Sequence, residues 1–151
     1  MNMPEYSVKD VDQEKTAKAY GYELHCSPKH SMNLARALRG MKLLDAKKYL
    51  EEVIALKKPV PFTTHKKKMS HRKGMGPGCY PKKAAQHLLK ILENAENNAE
   101  YKGLDPENMV ISHISAYHGR KIEGFIPRAY GRATEKNEQT TNVEIILEEV
   151  E

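Results

Sequence analysis

The sequence predicts an α+β fold in one domain spanning residues 1–151, and three observations carry that expectation. Three stretches repeat their apolar residues every three to four positions, as one face of a helix requires, and three others alternate with a period of two, as half-buried strands do. The last two of those strands flank a segment rich in glycine and cations, which makes them the arms of a long protruding β-hairpin.

Along the chain, the polar and weakly patterned segment from Tyr6 to Lys18 reads as an extended arm. Tyr20, Tyr22 and Leu24 then alternate with Gly21, Glu23 and His25, the pattern of a strand. A helix starts directly after it. Ser27 suits the N-cap, Pro28 suits the first helical position because its missing N–H has no partner there anyway, and Gly40 suits the stop after Leu34, Ala35 and Leu38. A second helix runs from about Leu44 or Asp45 to Leu56, with Tyr49, Leu50, Val53 and Ile54 as its apolar stripe and Pro59 ending the pattern. The third runs from about Pro81 to Gly103 and carries Ala84, Ala85, Leu88, Leu92, Ala95 and Ala99 at helical spacing. All three stripes are read as core.

Residues 57–80, between the second and third helices, show no usable period and are read as a long basic loop. Loops beyond about 15 residues in compact domains tend to be functional or disordered. After Asp105-Pro106 the period changes to two: Met109 to Tyr117 and Asn142 to Val150 are the arms of a hairpin over about residues 109–149, with its tip at about 121–134. An ascending arm from Met109 to Gly124 spans about 50 Å at roughly 3.3 Å per residue, against a radius of gyration of about 15 Å for a globule of this length. Much of the ribbon therefore cannot pack on its own body. A free two-stranded ribbon is marginal in water, so support from a partner is expected.

Charge points to what that partner is. The chain is 39% hydrophobic and 30% charged with a net charge of +5, and its distribution is more informative than its sum. No Asp or Glu lies between Val53 and Leu92, whereas Lys57, Lys58, Lys66, Lys67, Lys68, Arg72, Lys73, Lys82, Lys83 and Lys90 contribute +10 there, leaving −5 for the rest. So segregated a field is relieved by a polyanion that releases counterions on binding, and nucleic acid is the natural one. His65 and His71 fall in the same interval and are read as phosphate contacts. In the segment joining the hairpin arms, from Gly119 to Thr134, Arg120 and Lys121 can meet phosphates, and Phe125 and Tyr130 can stack on bases.

Other chemistries fit poorly. His65, His71, Cys79 and Cys26 have no compact zinc spacing, so no metal is expected, and the two cysteines read as reduced thiols. Gly74-Met75-Gly76-Pro77-Gly78 lacks the Lys-Ser/Thr of a phosphate loop and reads as backbone able to run close to RNA. No nucleophile or paired-carboxylate signature stands out, and an enzyme using Asp45 or a histidine would need acids or a metal beside the basic surface, where this chain has none in sequence. Neither catalysis nor a cofactor is expected. No apolar run could cross a bilayer, and Met1-Asn2-Met3-Pro4-Glu5 does not open a secretory signal, so a cytosolic protein is expected.

Three motifs in order, Ser27-Pro28-Lys29-His30 with Ala35-Arg36 and Leu38-Arg39-Gly40, then Ala95-Glu96-Asn97-Asn98-Ala99, then Ile126 to Ala133 (IPRAYGRA), resemble the family of universal large-subunit ribosomal protein number twenty-two. The likeness runs from about Tyr20 to Glu149. Lys57-Lys58-Pro59-Val60-Pro61-Phe62 and the basic insertion after it resemble the archaeal and eukaryotic branch. The resemblance implies three helices packed on a small three-stranded antiparallel sheet, and a structural, non-catalytic role in the large ribosomal subunit. Its partners would be large-subunit ribosomal RNA, neighbouring ribosomal proteins and the nascent polypeptide in passing, with no homo-oligomer. The hairpin would line the nascent-peptide exit tunnel with a tip of Gly124, Phe125, Ile126, Pro127, Arg128, Ala129, Tyr130, Gly131 and Arg132, where Arg128 and Arg132 face RNA or the lumen. Lys29, His30, Arg36 and Arg39 join the expected RNA contacts through the first motif. Many bacterial members carry cations where this chain has Glu123, Gly124 and often Tyr130, which leaves this tip less basic.

Overall fold

The three segments with a two-residue period pair into one antiparallel sheet in the computed structural model, which describes residues 5–150. Residues 1–4, on which the reading of the N-terminus partly rests, and residue 151 lie outside the described residues. In chain order the elements are β1 (Thr16–Leu24), α1 (Pro28–Leu38), α2 (Leu43–Ile54), β2 (Val60–Pro61), β3 (His71–Arg72), β4 (Gly76–Cys79), α3 (Lys82–Tyr101), β5 (Met109–Ile122), β6 (Phe125–Pro127), β7 (Ala133–Glu135) and β8 (Glu138–Glu149). The fold is α+β, with three helices, a main sheet in the order β1-β8-β5, and a hairpin extended from β5 and β8.

β8 is the central strand, antiparallel to both neighbours, so its backbone groups are paired on both sides. Its alternation sorts side chains between two covered faces. Val143, Ile145 and Leu147 enter the core with Leu34, Leu38, Leu50, Leu88 and Leu92 from the helices. α3 lies against β1 and α2, and α1 lies against β5. On the opposite face, Ile146 and Glu144 are also fully buried. The N-terminal arm lies there. Tyr6 stands edge-on to Tyr20 at 6.1 Å, and the Tyr20 and Tyr117 hydroxyls meet at 2.8 Å.

Glu144 anchors that arm. Its carboxylate accepts hydrogen bonds from the Ser7 amide at 3.1 Å and from the Ser7 hydroxyl, and lies 2.9 Å from His113 Nε2. Burial alone would push its carboxyl up, but the hydrogen bonds from Ser7 and His113 outweigh it and hold the group below the usual carboxylate range. A buried acid without those partners would cost several kcal/mol, so the arm and the acid depend on each other.

Several local expectations shift. β1 begins at Thr16, four residues before the strand read at Tyr20, because Ala17 and Ala19 are small enough to fit beneath α3 while Thr16 is buried on the other face, so that no clear alternation is marked. As an edge strand it exposes carbonyls on one side, and α3 takes them: Lys102 Nζ donates to Thr16 O at 2.8 Å and Asn98 Nδ2 to Lys18 O at 2.8 Å. Ser27 occupies the N-cap of α1, yet only its carbonyl bonds into the helix, accepting from the Ser31 amide and hydroxyl. Gly40 and Gly103 follow α1 and α3 with φ of 79° and 78°, as expected of helix stops, while Leu56 turns left-handed, with φ 60°, after α2.

The basic loop is not irregular throughout. β2, β4 and β3 form a second small sheet in that order, with Val60 opposite Cys79 and Arg72 opposite Gly76. These strands are two to four residues long, and β2 and β4 are built on glycine and proline, so they carry no period that sequence could display.

The depressed pKa of Glu144 gives a signed prediction. Its contribution to stability is present above the unfolded glutamate pKa of about 4.3 and is lost as pH falls through the lower folded value. Glu144→Gln should therefore be less stable than the parent at neutral pH, with the gap closing below about pH 4.3. Urea denaturation followed by circular dichroism at stepped pH measures this; a gap independent of pH would exclude the linkage.

Candidate nucleic-acid interface

The acid-free interval is held to the body by its first residues. Val60 and Phe62 are buried in the core, and Asn33, itself buried on α1, clamps the next two residues. Its Oδ1 accepts from the Thr63 amide at 3.1 Å and the Thr64 amide at 3.4 Å, while its Nδ2 donates to Thr64 O at 3.2 Å and Lys29 O at 2.8 Å. Arg36 reaches the Thr63 hydroxyl beside it. Beyond this clamp the chain turns twice through left-handed backbone, at His65 with φ 53° and Lys68 with φ 61°, leaving Lys66, Lys67 and Lys68 exposed. It returns along β3 and β4, where Arg72 donates from Nε to Gly78 O at 3.3 Å and lies over the Tyr80 ring at 5.2 Å. The glycine run 74–78 forms this turn and strand.

The cations singled out from sequence are exposed, as a surface for a polyanion requires, with His30 the exception. His30 is half-buried and edge-on to Phe62 at 5.5 Å; burial, then Lys29, push its pKa down, so it packs as a neutral ring. Besides Arg36, Arg72 and Arg132, whose Nε donates to Ala129 O at 3.5 Å, two others are partly engaged. Arg39 donates to Ile114 O at 3.1 Å, and Lys58 lies over the Tyr49 ring at 4.9 Å with Glu52 3.9 Å away. Lys57, His71, Lys73, Lys82 and Lys83 are exposed. The first turn of α1 holds the cation Lys29 and that of α3 holds Lys82 and Lys83, with no acid in either. Cations at a helix N-terminus oppose the macrodipole at about 0.3–1 kcal/mol each, so these positions are set against helix stability. Among the described residues no three of His, Cys, Asp and Glu converge on one point.

The hairpin is a jointed ribbon. Its ladder breaks between His118 and Lys121, and the carbonyls left over are taken by side chains from β8: Gln139 Nε2 donates to Gly119 O at 2.8 Å and Thr140 Oγ1 to Arg120 O at 2.7 Å. A second break follows at Gly124, whose carbonyl accepts from the Lys136 amide at 2.7 Å. A Cβ on Gly124 would sit 2.8 Å from Lys136 O, so the strands cross this neck only with glycine there. Beyond it, β6 and β7 pair from Phe125 opposite Glu135 to Pro127 opposite Ala133.

No residue from Gly119 to Gln139 is buried. At the end, Arg128 N donates to Arg132 O at 2.8 Å across a turn whose residue Tyr130 has φ 60° and is 98% exposed. An L-residue in that region costs roughly 1–2 kcal/mol, and no contact within the described chain offsets it. Phe125 is also exposed, as are Arg120, Lys121, Arg128 and Arg132.

Sequence reasoning missed Asn33, Gln139 and Thr140, which position the interface without joining it. Asn33 left one trace: a poor helix former inside the apolar stripe beside Leu34 and Ala35.

The family model described as Ribosomal protein L22p/L17e matches residues 19–148. The chain is 51% identical over 146 residues to the Large ribosomal subunit protein uL22 of Archaeoglobus fulgidus, covering 95% of this chain and 94% of that one. It is likewise 51% identical to the protein of that name from Methanopyrus kandleri, at 95% and 94% coverage, and 45% identical to the one from Ignicoccus hospitalis, at the same coverages.

Asn33→Ala should leave the Thr63 and Thr64 amides without their partner and lower stability by about 1–3 kcal/mol, more than an exposed ion pair of about 0–1 kcal/mol could account for. Urea denaturation measures the loss, and faster amide exchange at Thr63 and Thr64 should accompany it. Unchanged exchange at those two amides would show that the clamp is not what orders the loop.

Proposed function

The chain belongs to the ribosomal protein L22p/L17e family, and from that premise we propose that it binds large-subunit ribosomal RNA, supports subunit assembly and lines the nascent-peptide exit tunnel with its hairpin. The family is structural and non-enzymatic, and its members are cytoplasmic and ribosome-bound. The observation that carries the RNA reading is the acid-free interval: its cations are exposed on a loop fixed to the core by Val60, Phe62 and Asn33. Lys57, Lys58, Lys66, Lys67, Lys68, Arg72, Lys73, Lys82 and Lys83 neutralise phosphates, with Lys29, Arg36 and Arg39 beside them on α1. A-form RNA hides its base edges in a deep groove, so backbone, 2′-hydroxyl and unpaired-base contacts dominate.

The hairpin reading rests on reach and exposure. From the break at Gly119 to Tyr130 the ribbon extends roughly 30–35 Å beyond the body, with nothing buried along it. Such a surface is stable only against a surround. Arg120, Lys121, Arg128 and Arg132 face RNA, while Phe125 and Tyr130 stack on bases or meet the passing nascent chain. Neighbouring ribosomal proteins complete the tunnel wall.

The chain should co-sediment with large subunits in low and high salt, and a wholly free pool would sink the assignment. Lys66→Ala with Lys67→Ala should lower the salt slope of RNA binding by about 0.7–0.9 log units for each phosphate that is no longer neutralised. Removing residues 125–135 leaves a four-residue loop between the paired Ile122 and Glu138; that chain should melt like the parent and join the subunit, yet alter the tunnel. Loss of helical signal would instead make the tip part of the core.

A further inference from the structure

Where the hairpin leaves the body there is a cleft of about 580 Å³, lined by the β1–α1 junction, the start of α3, His118 of β5 and the returning strand from Lys136 to Gln139. Its floor includes buried Cys26 and Pro28. Three lysines from three separate segments, Lys29, Lys83 and Lys136, line it, and the ammonium group of none has an ion-pair or hydrogen-bond partner among the described residues. Two exposed imidazoles, His25 and His118, complete the rim. The cleft holds one acid, Glu138, and its carboxylate is committed to His25 Nδ1 at 3.1 Å. The amides are committed too: Asn137 bridges Gly124 and Glu135, and Gln139 Nε2 serves the Gly119 carbonyl.

We propose that this cleft receives a single unpaired nucleotide of the RNA, its base between the His25 and His118 rings and its phosphates held by Lys29, Lys83 and Lys136. The proposal rests on the RNA-binding reading above and deepens it. The volume falls in the range of pockets that enclose one small ligand, about 300–1,000 Å³, and is far too narrow for a duplex. Phosphate alone would need cations but neither flat rings nor an apolar floor; an unstacked base needs both, because bases splayed from RNA are recognised by stacking on planar side chains. The positive charge reaches a neighbouring group: His87 on α3 is pushed down first by burial, then by Lys90, Lys83 and His25. Because the cleft spans body and hairpin root, its occupant also sets the angle at which the ribbon leaves.

The test uses the whole chain in assembled large subunits. Subunits carrying the parent chain or a His25→Ala, His118→Ala, Lys136→Ala variant, compared at equal occupancy, are probed with base-specific and 2′-hydroxyl reagents and crosslinked with ultraviolet light. One RNA position should be shielded at its base with the parent and exposed with the variant, and should crosslink to a peptide bearing residue 25 or 118. An oligonucleotide with one bulged base should bind the free parent chain more tightly than adenosine monophosphate or inorganic phosphate, by about 5- to 100-fold for the stacked base in its chain context. Protection and crosslinks identical in parent and variant would overturn the proposal, as would phosphate alone matching the bulged RNA. A parent chain that fails to join the subunit would instead overturn the RNA reading beneath it.

Discussion

One strand carries the mechanical continuity of the molecule. β8 is paired on both sides and covered on both faces from Val143 to Leu147, so it cannot shift without moving β1, β5 and the helices against them. A one-residue slip would exchange Glu144 with its apolar neighbours and bury it in the wrong layer, which pins the register. The same strand continues past Asn142 into the ribbon. Even the first turn of the body is tied to it, since Thr141 Oγ1 donates to Cys26 O at 2.7 Å and Asn142 Oδ1 accepts from the Glu23 amide at 2.8 Å. The hairpin is thus an extension of the core's best-determined element, not an appendage to its surface.

Legibility followed the length of each pattern. α3 was readable nearly to the residue because seven of its residues are buried at helical spacing and Gly103 closes it. The hairpin arms were readable because β8 alternates through Val143, Ile145 and Leu147 and β5 through Met109 and Ile111. β1 was half read, since Thr16 to Ala19 owe their strand to pairing with β8 and to α3, neither of which is local. The strands of the basic segment were invisible because they are only two to four residues long, too short to show a period. The candidate cations from Lys57 to Lys83 are exposed, but charge could not separate lysines facing solvent from His30, which packs on Phe62.

The charge pattern and the fold's stability pull in opposite directions. α1 and α3 both begin with cations where acids would be stabilising, and neither has a side-chain cap. Tyr130 adds a left-handed residue with no internal compensation. These costs are each near 1 kcal/mol and together are comparable with a sizeable part of a small domain's net stability of about 5–15 kcal/mol. A partner that binds only the folded chain offsets them by mass action, so stability and occupancy of the bound state are coupled.

The two breaks in the hairpin ladder, at Gly119–Arg120 and at Gly124, divide it into short stiff segments joined by compliant ones. Bending strain applied at Tyr130 is absorbed first at the Gly124 neck and then at the bulge, where side chains from Gln139 and Thr140 hold carbonyls that the ladder does not. A bend at either break therefore displaces the end of the ribbon while the pairing of β8 with β1 and β5 from Val143 onward stays in place.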